Sequence, residues 1–374
     1  MKKFAVVLSW LCGSWCSLPA QALEALPPAA MDGPRTYRVE VLQVTDIQPY
    51  QQALDGFVAA LQEAGFRPGE NLEIQRTKVD FDVERGGFWD KLGVILRLRD
   101  EARRIAQAKP DLVLTIGTPA TRYARAILDE ARVPLVFTAV ANPLDAGCPS
   151  LTDAGPGATG ATLYTDMAQS LQVVKQVFPG VQQIGMVHTD DENGIAHVEA
   201  AKASARELGL HVASRQVGKS DSIVPSLKQL HAGGDGGAGA QMFAVPLDTY
   251  YGLRNFEPAK DLGDFGGEYR LPVVSFALVR VPGAMLYVGA DFRAVGALSG
   301  VQAAKILKRQ IKPEILPILR QDRPTVLVDP QRLAELKLAL PAALMERKTE
   351  VPGGFWQLKT PDTWPSHPPP ERKE

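Results

Sequence analysis

The sequence has little cysteine, and this scarcity excludes a disulfide-stabilised fold. Two of the three cysteines, Cys12 and Cys16, lie in the first 22 residues, and Cys148 is the third. Neither Cys12 nor Cys16 comes after the Leu-small-small triplet that precedes a lipid-anchored cysteine. The sequence therefore predicts a chain that is stabilised by its hydrophobic cores, and it favours a soluble exported protein over a lipoprotein.

Long hydrophobic runs are also scarce, and the one that is present stands at the amino end. Lys2 and Lys3 precede an apolar run over residues 4–16, and the small-residue pattern "AQA" ends at Ala22. This order predicts a secretory signal peptide over residues 1–22, cleaved after Ala22. A permanent membrane span takes about 20 apolar residues, so a retained anchor is the weaker alternative.

Neither an excess of one charge nor a catalytic signature is present. Removing the two leader lysines from the 41 basic residues leaves 39 against 42 acidic residues, a net charge of −3, which argues against a nucleic-acid partner. The five histidines show no metal-ligand spacing, and there is no Gly-x-Ser-x-Gly motif of a hydrolase. We therefore expect no metal, no cofactor and no catalytic residues.

What the sequence does contain is a repeated alternation of strand and helix patterns, first over residues 37–140 and again over 182–278. Short β-branched runs between helical periods predict an α/β fold with two doubly wound, Rossmann-like lobes. The stretch "GATGATLYTD" (157–166) leads from one lobe to the other, and "AMLYVGAD" (284–291) precedes a helix over 292–310. These connections predict multiple hinge crossovers and a cleft between the lobes.

The limits of the lobes follow from where these patterns begin and end. Lobe 1 is expected to comprise residues 37–160 and 284–310, because the strand and helix after residue 284 are expected to return to it. Lobe 2 is expected to comprise residues 161–283 and 320–345. The chain is long enough for each lobe to have its own core.

Three further segments stand outside this alternation. Residues 81–92 and 254–270 are interpreted as insertions, the second of them loop-like, and the Pro-rich residues 350–374 are predicted to form a flexible tail. The run "GDGGAG" (234–239) matches a dinucleotide-binding fingerprint in its letters alone. Because it follows a helix and precedes a strand, we interpret it as a turn and not as a nucleotide site.

The stretch "LVLTIGTPATRYA" (112–124) predicts a strand, a turn and a helix start. Gly117 allows a close turn, Thr118 is suited to cap the helix, and Pro119 is suited to its first turn. Free N–H groups and the positive end of the helix dipole then favour a carboxylate ligand, held by Gly117, Thr118 and Thr121. The same residues also begin helices in proteins without a ligand, so the local pattern leaves both interpretations open.

Polar residues lie at the ends of the other predicted strands, where a cleft between the lobes would be lined. They are Thr45, Asp46, Asn142, Thr189, Asp190, Asn193, Asp248, Tyr250 and Ser275. A carboxylate such as Asp190 or Asp248 suits a ligand ammonium group. Taken singly, an Asp or Asn after a strand is also an ordinary helix cap, and it is their convergence that favours a small-molecule site.

Six blocks, in this order, resemble one known family. They are "TIGTPATRYA", "VPLVFTAVANPLDAG", "GPGATGATLY", "FPGVQQIGMVHTDDENGI", "VPGAMLYVGADFRAVGALSGVQAAKILKRQIKPEILPI" and "PTVLVDPQRLAELKLALP". From about residue 41 to about residue 341, the chain resembles ABC-transporter substrate-binding proteins of the tryptophan- and tyrosine-binding group, which have a type I periplasmic-binding fold. The acidic residue that this family carries before a proline is Asn142 here, so one carboxylate for a ligand ammonium is missing.

The resemblance implies a monomeric periplasmic solute-binding protein with no enzymatic activity. It would close on an amino acid or a related carboxylate and deliver it to the membrane permease and ATPase of an ABC transporter. One alternative is a sensor module that signals to a histidine kinase or chemoreceptor. A second is an exported α/β enzyme, which would require a nucleophile-base pair or metal site that the sequence does not show.

Overall fold

The computed structural model describes residues 35–79, 88–233 and 237–359. Within these ranges the chain forms two α/β lobes, each built on one sheet, which confirms the predicted fold class. The predicted signal peptide with its cleavage after Ala22, and most of the 81–92 segment, lie outside the described residues. These two interpretations therefore stay predictions.

Helices and strands alternate along most of the chain, because β-branched runs and amphipathic helical periods alternate in its sequence. The elements of the first part are β1 (Tyr37–Gln43), α1 (Gln48–Glu63), β2 (Leu72–Lys78), α2 (Phe88–Ala108), β3 (Leu112–Ile116), α3 (Thr118–Glu130), β4 (Leu135–Val140) and β5 (Ala158–Thr162). Those of the middle part are α4 (Met167–Val177), β6 (Gln183–His188), α5 (Glu192–Glu207), β7 (His211–Gln216), α6 (Val224–His231), β8 (Met242–Val245), α7 (Leu253–Tyr269) and β9 (Val273–Ser275). The last are β10 (Leu286–Gly289), α8 (Phe292–Arg309), β11 (Leu319–Arg320), β12 (Thr325–Val328), α9 (Pro330–Glu335), α10 (Ala342–Met345), β13 (Lys348–Val351) and β14 (Phe355–Leu358).

Each sheet has a point at which its strand order reverses. Sheet 1, in lobe 1, is parallel in the order β11-β5-β4-β3-β1-β2. Sheet 2, in lobe 2, has the order β13-β14-β12-β10-β9-β8-β6-β7 and is parallel from β7 to β10. In open α/β sheets, ligands bind at the carboxyl ends of the strands beside such a reversal. The relevant loops follow β1 and β3 in lobe 1 and β6 and β8 in lobe 2.

Three connections cross between the lobes within the described residues: β5 to α4, β10 to α8, and β11 to β12. Helix α8 returns to lobe 1 and packs along α1. Small residues permit this close packing, since a Cβ added at Gly296 would lie 1.9 Å from the carbonyl oxygen of Ala53. The backbone N–H of Asp291 donates to Oε1 of Gln321 (2.5 Å), which joins the second crossing to the third.

The strand that was expected to return to lobe 1 belongs instead to lobe 2. β10 pairs with β9 and β12 in sheet 2, and it is only the helix after it that packs on lobe 1. β11 pairs with β5 in sheet 1, although residues from 320 were assigned to lobe 2. A short apolar run identifies a strand, but the sheet that it joins depends on distant partners, which explains both errors.

The interpretation of residues 254–270 as a loop-like insertion is wrong, because residues 257–269 form the regular part of α7, after a kink of positive φ over residues 254–256. Their glycines serve packing: a Cβ added at Gly263 would lie 2.8 Å from Cα of Gly283. Residues 350–358, assigned to the tail, lie in the β13–β14 hairpin, whose turn contains Gly353 and Gly354 at φ 90° and 79°. β14 pairs with β12 and so extends sheet 2.

Each sheet is covered by a hydrophobic core on both faces. In lobe 1, one core includes Leu98 and lies under α2 and α3, and the other includes Phe57 and lies under α1 and α8. In lobe 2, one core includes Val198 and the other Phe265. No described helix is long and apolar enough to cross a membrane.

Candidate functional site

The loops beside the two strand-order reversals border one cleft. Arg122 on α3 of lobe 1 and Glu192 on α5 of lobe 2 form an ion pair, with 3.4 Å between Nη1 and Oε2. Tyr50 of lobe 1 and Asp191 of lobe 2 are also close enough for the carboxylate to affect the phenol electrostatically. The carboxyl edges of both sheets therefore contribute to the same region of the molecule.

The start of α3 lies at this edge of lobe 1. Gly117 precedes the helix with φ 89° and ψ 160°, and Thr118 is its first residue, so the prediction that Thr118 caps the helix is wrong. The Thr118 Oγ1 atom instead accepts a long hydrogen bond from the N–H of Ala141 (3.4 Å). The amides of Thr118 and Ala120 lie in the first turn and have no acceptor within the helix. They are the donors that this helix start offers to a ligand.

Tyr50, the third residue of α1, lies directly against Gly117. A Cβ added at Gly117 would come within 2.4 Å of the Tyr50 hydroxyl oxygen, so glycine is required there by contact as well as by its positive φ. Burial, with a smaller contribution from the negative charge of Asp191, raises the pKa of Tyr50 to about 12. The hydroxyl is therefore protonated at neutral pH.

The end of β4 is distorted next to the start of α3. A register shift between β4 and β5 accompanies a positive φ of 54° at Ala139, which marks a β-bulge. The carbonyl of Thr138 accepts from the N–H of Gly117 (2.9 Å), while the buried Thr138 Oγ1 has no hydrogen-bond partner among the described residues. Asn142 follows the bulge, and its Oδ1 accepts from the N–H of Leu144 (3.1 Å). Its role toward a ligand stays a prediction.

Two predicted ligand residues after β1 interact with their own lobe. Asp46 forms ion pairs with Arg76 (2.9 Å) and Lys78. The hydrogen bond from Lys78 lowers the pKa of Asp46. The carbonyl of Thr45 accepts from Nε2 of Gln43 (2.5 Å). The Asp46 carboxylate is thus neutralised locally, which makes it a poor partner for a ligand ammonium group.

In lobe 2, Asp248 joins two strand-end loops and is itself buried. Its carboxylate accepts from the N–H of Thr189 (2.7 Å), from the Thr189 hydroxyl (3.0 Å) and from the N–H of Tyr250 (2.9 Å). Burial raises the pKa of Asp248 despite these bonds. Thr189 and Asp248 were predicted to bind ligand, but the structure uses them to hold the ends of β6 and β8 together.

Three more predicted ligand residues are buried inside their lobes. The Tyr250 hydroxyl donates to the carbonyl of Asp221 (2.8 Å), and the Ser275 hydroxyl donates to the carbonyl of Ala277 (2.9 Å). The Thr121 hydroxyl donates to the carbonyl of the residue that precedes α3 (2.9 Å). Each of these side chains already has a protein partner, and its role toward a ligand stays a prediction.

The start of α5 brings the remaining predicted residues to the cleft. Asp191 caps this helix: its Oδ1 accepts from the N–H groups of Asn193 (3.0 Å) and Gly194 (3.4 Å). Thr249 donates to its Oδ2 (2.9 Å). Asp190 is exposed, and its Oδ1 lies 4.0 Å from Nζ of Lys219.

A group of three charged residues lies where the lobes meet. Asp145, in the loop after β4, is near both members of the Arg122–Glu192 pair. Its Oδ2 is buried and has no hydrogen-bond partner among the described residues. Burial is the main cause, and Glu192 a further one, of the raised pKa of Asp145. Two carboxylates thus lie near one guanidinium between the lobes, and only that of Glu192 is paired with it.

Within the described ranges, no group of three or more His, Cys, Asp or Glu side chains could hold a metal ion. Cys148 is a buried free thiol whose pKa is raised by burial. The cleft therefore offers hydrogen-bond donors, carboxylates and one aromatic ring, which are the groups of a binding site.

The family described as ABC transporter substrate binding protein matches residues 38–352. This chain belongs to that family. The match covers both lobes as far as the β13 strand and ends before β14. The family consists of binding proteins, in agreement with a cleft that is lined by donors and carboxylates.

A named relative and several solved structures are similar to this substrate-binding protein over most of its length. A tyrosine-binding protein of Clostridioides difficile is 22% identical over 310 residues, which is 82% of this chain and 83% of that protein. The ligand-free, open structure of a substrate binding protein with adhesive properties from Clostridium difficile aligns with a TM-score of 0.67 at 22% identity, covering 82% of this chain and 97% of the other. An L-Trp complex from Streptococcus pneumonia gives a TM-score of 0.66 at 19% identity, with 83% and 98% covered. At these identities the structures support the shared fold.

The structure thus separates the predicted site residues of this substrate-binding protein into two groups. Gly117, Thr118, Asn142 and Asn193 lie at strand ends or helix starts of the cleft, whereas others serve as internal links. Sequence reasoning missed Tyr50, Arg122 and Asp191. An aromatic residue directly after the first strand-end loop, in "DIQPY", was an available signal for the first of these.

Proposed function

We propose that this substrate-binding protein captures a small organic solute, an amino acid or a related carboxylate, in the cleft between its lobes. It then delivers the solute to the membrane permease of an ABC transporter. The observation that carries this proposal is the start of α3, where the amides of Thr118 and Ala120 lack an acceptor within the helix. A carboxylate fits this positive helix end.

The charges near the cleft favour a solute with one carboxylate over a polyanion. Arg76 and Lys78 pair with Asp46, and Arg122 pairs with Glu192. Because these cations already have carboxylate partners, neutral donors remain to hold the solute anion. Asp191 at the other side of the cleft provides negative charge for an ammonium group.

The relatives support an amino acid as the solute. One similar protein is named a tyrosine-binding protein, and similar structures contain L-Trp or Leu. The family also favours transport over the alternative of a sensor module. Asn142 in place of an acidic residue makes a ligand that is less cationic than an amino acid a second class to include in the experiment.

Closure of the two lobes is the proposed mechanism of capture. The solute first meets lobe 1 at the start of α3, and rotation about the three crossings then adds groups from lobe 2. The Arg122–Glu192 pair forms a direct contact between the lobes in this process. Binding energy and not covalent chemistry drives the change.

The cellular location follows from the signal peptide that we propose for residues 1–22. Cleavage after Ala22 would release the chain into the periplasm, where it would act as a monomer. N-terminal sequencing of the protein from a periplasmic fraction is expected to begin at Leu23. A start at Met1 in the membrane fraction would favour the retained anchor.

A thermal-shift screen, followed by titration calorimetry, tests the proposed function. The probes are L-tyrosine, L-tryptophan, L-leucine and 4-hydroxybenzoate. A probe at a hundredfold excess over its dissociation constant is expected to stabilise the folded protein by about 2.7 kcal/mol. T118V should weaken binding of that probe about fivefold by removing a hydroxyl at the helix start.

The exposed strand β13 supplies the matched control for T118V. Thr349 is exposed and remote from the cleft, so T349V should bind the probe as the wild type does. If the wild-type protein binds none of the probes, the proposed ligand class is wrong. If T118V and T349V bind equally well, the ligand does not use the Thr118 hydroxyl.

A further inference from the structure

Tyr50 lies directly against Gly117, the residue that precedes α3, and the proposed function so far assigns it no role. It follows Pro49 in the first turn of α1, at the strand-end loop beside the order reversal of sheet 1. Its hydroxyl oxygen would be only 2.4 Å, and its Cζ 2.9 Å, from a Cβ added at Gly117. The phenol therefore occupies space directly in front of the residue that precedes α3.

The Tyr50 hydroxyl is a donor without a partner. No hydrogen bond joins it to any residue in the described parts of the chain, although the ring packs against the core that includes Phe57. Burial holds the proton on the oxygen, with a pKa of about 12. A buried or partly buried hydroxyl that lacks an acceptor is costly unless a ligand or water supplies one.

Other unpaired donors belong to the start of α3 and to the end of β4, whose Thr138 carbonyl accepts from the N–H of Gly117. Among the described residues, the amides of Thr118 and Ala120 in the first turn of α3 have no acceptor, whereas the N–H of Thr121 bonds to the carbonyl of Gly117 (3.2 Å). The hydroxyl of Thr138, whose carbonyl holds Gly117, is buried and also without a partner among the described residues. A carboxylate accepts up to about four hydrogen bonds and matches such a set of donors.

We infer that Tyr50 is a specificity-determining residue of the cleft: its hydroxyl donates to the carboxylate of the solute at the start of α3, and its ring limits the space there. This inference rests on the proposed function, because it concerns the same cleft. It adds a residue that contacts the ligand and selects it by charge. Solutes without an anionic group lose the Tyr50 contact, and bulky groups are excluded from this side.

Calorimetry on Y50F and Y50A tests the inference with L-tyrosine, L-tryptophan and L-leucine, each as the free acid and as the methyl ester. For a free acid that the wild type binds, Y50F is expected to bind about tenfold more weakly, because a hydrogen bond to a charged group is lost. For the methyl ester, the same substitution should cost about threefold or less, since the acceptor is neutral. Y50A should weaken binding further by removing the ring.

Y123F is the matched control, because Tyr123 lies on α3 itself and packs against the core that includes Leu98. It should bind every probe as the wild type does. Unfolding of each variant without ligand shows whether it is folded, and the ratio between acid and ester is independent of any change in stability.

Three outcomes would overturn the inference about Tyr50 while the proposed function stands. These are equal binding of a free acid by Y50F and the wild type, an equal loss for acid and ester, or tighter binding by Y50A, which would mean that the phenol blocks the helix start. If the wild-type protein binds no free acid, the proposed function itself fails, and the inference fails with it.

Discussion

The two lobes carry the same kind of polar loop at the carboxyl edges of their sheets, yet they use its groups differently. In lobe 2, Thr189, Asp248 and Tyr250 are buried and bonded to protein partners. In lobe 1, Tyr50 has no hydrogen-bond partner within the described residues, and the amide of Thr118 has no acceptor within its helix. The loops of lobe 2 are thus largely fixed by their own bonds, whereas those of lobe 1 contain unpaired donors, to which we propose that the solute binds.

This difference has a consequence for capture. The polar side chains of lobe 2 are held by protein hydrogen bonds, whereas lobe 1 has unpaired donors. In the proposed capture, an anionic solute should therefore contact lobe 1 first. Lobe 2 then contributes when the lobes close, through residues such as Asp191 at the start of α5. Substitutions in lobe 2 should therefore reduce stability, and substitutions in lobe 1 should reduce affinity.

The largest expected effect is on stability and arises in lobe 2. D248A removes the acceptor of the Thr189 and Tyr250 amides and leaves them buried and unpaired. The free energy of unfolding is expected to fall by about 3–4 kcal/mol. Denaturant unfolding measures it, and D190A, at an exposed carboxylate, should change stability by less than about 0.5 kcal/mol. If D248A is as stable as the wild type but fails to bind solute, Asp248 serves binding and not stability, which contradicts the proposed difference between the lobes.

G117A tests the role of the lobe 1 loop before α3. At φ 89° and ψ 160°, Gly117 has a backbone that side-chain-bearing residues rarely adopt, and a Cβ would collide with Tyr50. We expect a loss of about 2–3 kcal/mol in stability together with loss of solute binding. Gly65, at φ 91° with open space around it, is the control: G65A should cost about 1 kcal/mol and leave affinity unchanged. If G117A binds solute as the wild type does, the close packing of Tyr50 against Gly117 is not required for solute binding.

His197 gives lobe 2 a pH dependence. Its Nδ1 accepts from the N–H of Leu247 (3.3 Å), and burial lowers its pKa from 6.5 to about 4. The unfolded chain then binds more protons than the folded one between these values. This contribution to stability is therefore complete above about pH 6.5 and is lost as the pH falls toward 4, by about 2 kcal/mol.

Unfolding measured from pH 7 to pH 4 tests this prediction with H197N, which keeps an acceptor but no titrating ring. The variant should show a flatter stability profile than the wild type. H211N, at an exposed histidine at the start of β7, should keep the wild-type profile. Identical profiles for H197N and the wild type would contradict the assignment to His197.

Periodicity in the sequence was sufficient to predict the α/β class and most strands and helices of the two lobes, because these elements are buried on faces that their own residues define. The allocation of β10 to a lobe was wrong, because pairing with β9 and β12 is a long-range choice. Glycines in α7 suggested a loop, yet Gly263 is there for contact with Gly283. For the β13–β14 hairpin, Gly353-Gly354 between two strand-like runs was a usable signal.

The site was harder to predict than the fold, because a polar residue after a strand does not reveal whether the protein already satisfies it. Thr189 and Asp248 are 59 positions apart and bond to each other, which no local pattern shows. Conversely, Tyr50 resembles an ordinary core aromatic on an amphipathic helix. Its contact with Gly117 at the start of α3 depends on the packing of α1 beside α3, which the local sequence does not show.

The smallest expected effect concerns the contact between the lobes. Arg122 and Glu192 are 47% and 76% exposed, so their pair is worth about 0.5 kcal/mol at most, or a twofold change in affinity if it forms on closure. A double-mutant cycle with R122A and E192A, read out as solute affinity, should show this coupling at low salt and its loss at high salt. The Asp100–Arg103 pair within α2 is the control, since its removal affects lobe 1 alone and should leave affinity unchanged. Absence of coupling at low salt would mean that closure does not use this pair, and the two lobes would then be linked through the solute and the three crossings.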